Sequence, residues 1–159
     1  MKNLKSNKGF TLIEILIVIG IIAILAAIVI VAINPAKQFA QARNTQRESA
    51  VNTVLNAIGQ RIADNKGKFD GAFTVGGVTY TCPTLGATKN IGTDVVVNID
   101  LSCLVPTYIP TAVPLDPSGG TAADTLYTVA QDGVGRVTAC APKHAEAAIP
   151  DSATFCVTR

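Results

Sequence analysis

The stretch Phe10–Ile33, FTLIEILIVIGIIAILAAIVIVAI, constrains this chain more than any other. It holds 24 residues and a single charge, Glu14. As an α-helix it is about 36 Å long at roughly 1.5 Å per residue. That is enough to cross a hydrocarbon core of about 30 Å with some tilt. Glu14 is the anomaly. A carboxylate in a spanning helix costs about 2.5–3.5 kcal/mol at the helix centre, and such groups normally serve a function with a nameable partner. Lys2, Lys5 and Lys8 precede the run with no acid among them. Positive charge on that side holds it in the cytoplasm, so the rest of the chain is exported. A conventional cleaved signal peptide has an apolar core of about 7–15 residues closed by an A-x-A site. This run is longer, and the nearest such triplet, Ala40-Gln41-Ala42, lies beyond Pro35 and outside the apolar segment.

Lys8-Gly9-Phe10-Thr11-Leu12-Ile13-Glu14, followed by an apolar helix, resembles the class III signal of type IV pilins and pseudopilins. The resemblance rests on basic leader, glycine, phenylalanine and glutamate in fixed order, and covers about the first third of the chain. It implies a leader, residues 1–9, cut between Gly9 and Phe10 by a prepilin peptidase on the cytoplasmic side. It also implies N-methylation of the new amino terminus at Phe10 and an assembly role for Glu14. The partners it implies are the peptidase/methyltransferase, an inner-membrane assembly machinery, the membrane before assembly, and other copies of the same chain in a helical homopolymer. The expected function is a structural subunit of a type IV pilus, held in the cytoplasmic membrane before assembly and extracellular afterwards. The alternatives are a pseudopilin of a secretion or DNA-uptake system and a membrane-tethered binding domain.

The 159 residues suit an anchor plus one compact domain. The formal charge is +2, but without residues 1–9 and their three lysines it becomes −1. A mature chain of that charge, lacking tryptophan, gives no argument for nucleic-acid binding. The four cysteines all follow residue 81, in the exported portion, which fits disulfides in an oxidising compartment.

Beyond the run, Asn34-Pro35 removes a backbone donor and biases the preceding residue away from helix, so a kink or local break is expected at Pro35. The helical pattern then resumes over residues 34–66. Phe39, Ala42, Ala50, Val51, Val54, Leu55, Ile58 and Ile62 form an apolar stripe, with Gln41, Asn44, Arg47, Glu48, Asn52 and Asn56 mainly opposite. Asp64-Asn65-Lys66-Gly67 supplies the stop, Gly67 taking a left-handed cap. The pattern predicts one helix of about 50 residues, half in the membrane and half outside.

Residues 67–159 read as a β-rich domain. Phe73-Thr74-Val75 and Val78-Thr79-Tyr80 flank Gly76-Gly77 as a tight hairpin. Val95-Val96-Val97-Asn98-Ile99 is strand-like or irregular. Prolines 106, 110, 114 and 117 punctuate a loop, and Asp116-Pro117-Ser118-Gly119-Gly120 is turn chemistry. Leu126–Ala130 and Arg136–Cys140 flank Asp132-Gly133 as a second hairpin. The tail from Ala145 onward has no clear pattern. Laying one face of these strands on the helical stripe completes a small core. The expected class is α+β, a long N-terminal helix packed by a small antiparallel sheet, as the resemblance also implies.

Cys82, Cys103, Cys140 and Cys156 permit three pairings. The sequential one is favoured, each bridge closing a loop of roughly 20 residues worth about 3 kcal/mol in the chain-entropy account. A bridge near the end of the chain also resembles the pilin habit of pinning the last segment. Without a C-x-x-C spacing, and with His144 the single histidine, neither a zinc site nor a Ser/His/Asp arrangement is expected. His144 is expected in a surface loop. Gly133-Val134-Gly135 belongs to a hairpin rather than to a phosphate cradle. Asp94, Asp100, Asp116, Asp124 and Asp132 are scattered. Asp116 to Asp124 offers oxygens that calcium could use, but turn formation explains them more simply. No cofactor and no catalytic residue are expected.

Overall fold

A computed structural model describes residues 9–159. The leader lysines, Lys2, Lys5 and Lys8, lie outside the described residues. The chain divides into two bodies, one ending at Gln38 and one comprising residues 39–159, and each is described by itself.

Helix α1 runs Leu12–Ile33 and buries none of its residues. It ends at Asn34, whose left-handed backbone (φ 47°, ψ 80°) stops the first helix. The same residue starts the next one, since its side-chain oxygen and its carbonyl both accept the backbone N–H of Lys37, at 3.3 and 3.1 Å. Pro35 is the first residue of helix α2, Pro35–Asp64, a position where its missing N–H loses nothing. One helix of about 50 residues is therefore replaced by two, and the break sits at Asn34, one residue before the expected kink.

The body from Phe39 onward contains most of α2 and two separate antiparallel sheets. Strands β1 (Gly71–Val75) and β2 (Val78–Cys82) form a hairpin of their own, turned by Gly76 and Gly77, both with positive φ. A four-stranded sheet follows, in the order β3 (Lys89–Asn90), β4 (Thr128–Gln131), β5 (Val137–Ala141), β6 (Phe155–Thr158). The expected single sheet is thus two. The reason is burial: β1 and β2 are exposed along most of their length. Phe73 and Tyr80 turn inward, half-buried and stacked at 5.5 Å, with the guanidinium of buried Arg61 lying 4.3 Å over the Phe73 ring, and Cys82 at the end of β2 is buried. That cation–π contact accounts for an arginine in the core. The hairpin over Asp132-Gly133 is present, and the unpatterned tail supplies β6. Val95–Val97, read as strand-like, is a turn with all three valines in water.

The core gathers Val51, Val54, Leu55 and Ile58 of α2 with Ile91, Leu101, Leu104 and Ile109 of the intervening loops and Val129, Val137, Ala139 and Ala141 of the sheet. Alternate residues of β5 are buried while Thr138 and Cys140 face outward, the period of a half-covered strand. Cys82–Cys103 and Cys140–Cys156 are joined, the sequential pairing. The first ties the end of the β1–β2 hairpin to the 3₁₀ turn Ser102–Leu104, and the second crosses from β5 to β6.

The start of α2 departs from its apolar reading. Phe39 is 66 % exposed and Ala42 is also in water, whereas Asn44 and Arg47, assigned to the opposite face, are buried. Arg47 has all five N–H groups engaged. Its Nε and one Nη2 proton go to the two oxygens of Asp116, at 2.7 and 3.1 Å, and the other Nη2 proton goes to Ser118 Oγ at 2.6 Å. Its Nη1 protons reach Asn44 Oδ1 at 2.8 Å and Glu146 Oε1 at 2.6 Å. Arg43 grips Glu146 with two further bonds, at 2.7 and 2.9 Å. Two loops distant in sequence are thereby fastened to one helical turn. Gly120 is needed here, because a Cβ would run into the backbone of Asp116 and Thr125. Asp116 is therefore an internal counter-ion as well as a turn former. Burial would raise its carboxyl, but Arg47 and the Ser118 N–H outweigh that and hold it below the usual range. His144, expected in a surface loop, is half-buried. Its ring stacks on Phe155 at 5.4 Å, with Nδ1 2.9 Å from the Ala153 carbonyl and Nε2 3.2 Å from Glu48.

Removing one partner of such a buried pair costs more than the pair contributes. Arg47→Ala strands Asp116 and should destabilise the domain by about 3–5 kcal/mol, seen as a fall in the thermal midpoint of the detergent-solubilised chain. An unchanged midpoint would contradict this account. Hydrogen bonds from Arg43 and then Arg47 lower the Glu146 carboxyl from 4.5 to about 2. Because the folded value is the lower one, its contribution is full above the ordinary value and is lost as pH falls from 4.5 toward 2. Glu146→Gln should flatten the acid side of the stability profile in that window, and an unaltered acid slope would count against the pairing.

Candidate functional site

The functional residues expected from sequence cluster at the head of α1. Gly9 and Phe10 precede the helix and are exposed, Phe10 at 82 %. A Cβ on Gly9 would meet nothing within 4 Å, and its φ is not positive. Among the described residues, nothing in the fold requires glycine there.

Thr11 caps α1. Its backbone is extended (φ −81°, ψ 151°), and its hydroxyl accepts the Glu14 N–H at 3.3 Å. Glu14 reaches back: Oε2 accepts the Thr11 backbone N–H at 3.1 Å and the Thr11 hydroxyl at 3.2 Å. This is a complete capping box, satisfying two donors that a helix start leaves unpaired. The negative charge also lies where the helix dipole is positive. The signal was legible as T-x-x-E ahead of an apolar run, and the sequence reading missed it. The second carboxylate oxygen, Oε1, has no partner among the described residues.

Within Leu12–Ile33 an 18-residue window has a mean hydropathy of 3.5, and no residue of the helix is buried. Sixteen large apolar residues face out, and they do so all round the helix rather than along one stripe. A helix apolar on every side belongs in a dry surrounding. Gly20, in its middle, leaves open space where a Cβ would sit. Pro35 opens α2, so it lies outside this apolar segment. The cysteines lie in the other body and form disulfides, with no free thiol among the described residues. Among those residues no three His, Cys, Asp or Glu side chains converge as a metal site. What the head of α1 offers is an exposed, side-chain-capped helix start with one carboxylate.

Residues 4–30 match a family model described as the prokaryotic N-terminal methylation motif. No curated protein and no solved structure matches the chain. The apolar N-terminal helix, the second helix and the small antiparallel sheets make an α+β protein, as in the pilin fold. The motif implies processing by a prepilin peptidase and entry into pilus-type assembly machinery, and with the apolar helix it fits a membrane-anchored precursor and a structural protein rather than an enzyme. The chain carries the class III signal characteristic of type IV pilin and pseudopilin prepilins.

Proposed function

We propose that this protein is a type IV pilus subunit: residues 1–9 are removed between Gly9 and Phe10, the Phe10 amine is methylated, and the mature chain polymerises. The observation that carries the proposal is an apolar helix, Leu12–Ile33, that is bare on every side and headed by one carboxylate. Before assembly, lipid covers it. At about 33 Å its length suits a hydrocarbon core of about 30 Å. On extraction the same surface needs another dry partner, and identical helices bundled along a fibre axis supply it. Contacts between unlike surfaces of identical subunits propagate as a helical filament where the rotation does not close a ring.

Glu14 gives that exchange its direction. Cleavage exposes a cationic amine at Phe10. The Glu14 carboxylate of one subunit then pairs with the Phe10 amine of another, offsetting the burial of both charges. Thr11 engages only Oε2, which leaves Oε1 for the incoming amine. The leader has to leave first, because it blocks that amine and keeps three lysines at the cytoplasmic face. Two disulfides and long loops in the outer body suit an exposed pilus better than a periplasmic pseudopilus.

Gly9→Leu should accumulate as an uncleaved membrane precursor with an unaltered outer domain. N-terminal sequencing checks this, and a mature chain beginning at Phe10 would refute the cleavage assignment. Glu14→Gln keeps the capping geometry, since glutamine serves at that position, and removes only the charge. It should insert and be cleaved normally, while the yield of sheared fibres drops at least tenfold. Fibres at the level of the unsubstituted chain would eliminate charge pairing as the assembly step.

A further inference from the structure

Gly9, Phe10 and Thr11 stay outside α1, which begins at Leu12. Thr11 sets that boundary. A helix cap keeps a non-helical backbone while its side chain accepts an early N–H. Thr11 meets both conditions, extended at φ −81°, ψ 151° with its hydroxyl on the Glu14 N–H. Glu14 closes the box by accepting the Thr11 N–H. A further turn of helix upstream would need that same N–H for the carbonyl four residues back, so the box competes with extension toward the leader. Phe10 does not fold down either. The residue ahead of a cap often staples onto the fourth residue of its helix, here Ile15, yet the two are 82 and 51 % exposed. The chain ahead of the box is therefore bare and non-helical.

That is the form in which a peptide bond can be hydrolysed, since cleavage favours exposed, irregular chain. Were α1 to start one turn earlier, the Gly9 carbonyl would accept the Ile13 N–H and be tied into the helix. We propose that Thr11 is a positioning residue for leader cleavage: its capping box with Glu14 fixes where α1 starts and so presents the Gly9–Phe10 bond as accessible, extended chain. The step is a hydrolysis. Water adds across that bond, leaving a carboxylate on Gly9 and an amine on Phe10. The inference rests on the cleavage assignment above, and the match of residues 4–30 to the methylation motif implies the peptidase it needs. Since α1 buries none of its residues, nothing in the outer body depends on the side chain at position 11.

The test follows leader removal from the full-length precursor in detergent micelles by a purified prepilin peptidase. Thr11→Val keeps the branched shape and loses the acceptor. It should be cleaved roughly 2- to 30-fold more slowly, the population ratio equivalent to a lost cap. Thr11→Ser and Thr11→Asn cap at least as well as threonine, and both should be cleaved at the rate of the unsubstituted chain or faster, although asparagine resembles threonine poorly in shape. Amide exchange reads the box itself: the Glu14 N–H should be protected in the unsubstituted, Ser and Asn chains and exchange freely in Thr11→Val. Cleavage of Thr11→Val at the unsubstituted rate would overturn the proposal while leaving the cleavage assignment intact. Slow cleavage of Thr11→Asn with its Glu14 N–H protected would mean that the peptidase reads the threonine side chain directly, and the proposal fails equally. An unsubstituted precursor that the peptidase leaves whole, or cuts elsewhere than at Gly9–Phe10, would remove the cleavage assignment and this inference with it.

Discussion

Sixteen large apolar side chains that touch no core of their own must be kept dry by something else. At about 1.5–3 kcal/mol for each side chain fully buried, the stakes are on the order of tens of kcal/mol. That exceeds the whole net stability of an ordinary domain, about 5–15 kcal/mol. The helix therefore cannot simply be left in water, and its environment decides where the protein resides. Lipid and a bundle of identical helices are both adequate solvents. The apolar surface does not choose between them; under the proposed function the single carboxylate does, because the bundle would provide it a fixed positive partner.

The outer body obeys a different constraint. Its sheets are small and two of its loops are long, so strands alone do not fix its form. The Arg47 guanidinium does much of that: five N–H groups reach Asn44, Asp116, Ser118 and Glu146, drawing together a helix and two loops remote from it in sequence. A buried arginine serves this purpose because its planar fork meets several acceptors at once. Each bond narrows where the loops can sit.

Much of this was legible in the sequence because periodicity reports burial. Residues 51, 54 and 58 define the buried face of α2, and the same three-and-four spacing carried back reaches 47, 44 and 40, and forward reaches 61. The face was visible, but polarity disguised Asn44, Arg47 and Arg61 as solvent residues. The acidic partners of Arg47, Asp116 and Glu146, lie 69 and 99 residues away, beyond anything local patterning registers. The two hairpins were readable from Gly76-Gly77 and Asp132-Gly133, since short turns are local chemistry. The triple valine misled because β-branching describes what a strand accepts, not what a clamped turn displays. Asn34 took the helix break expected of Pro35, since an asparagine can adopt the left-handed cap and then start the next helix. At the head of α1, the motif residues were visible as a set, and the Thr11–Glu14 capping box was legible as T-x-x-E but was passed over because Glu14 was read for its charge alone.

The central claim is that the apolar helix exchanges lipid for copies of itself. Electron cryomicroscopy of fibres sheared from the cell surface tests it most directly. The account predicts helices 10–33 packed side by side along the axis, without lipid, each beginning at Phe10 with Glu14 beside a neighbour's amine. A surface bearing no fibre of this chain, with the polypeptide retained in the membrane and starting at Met1, would contradict it.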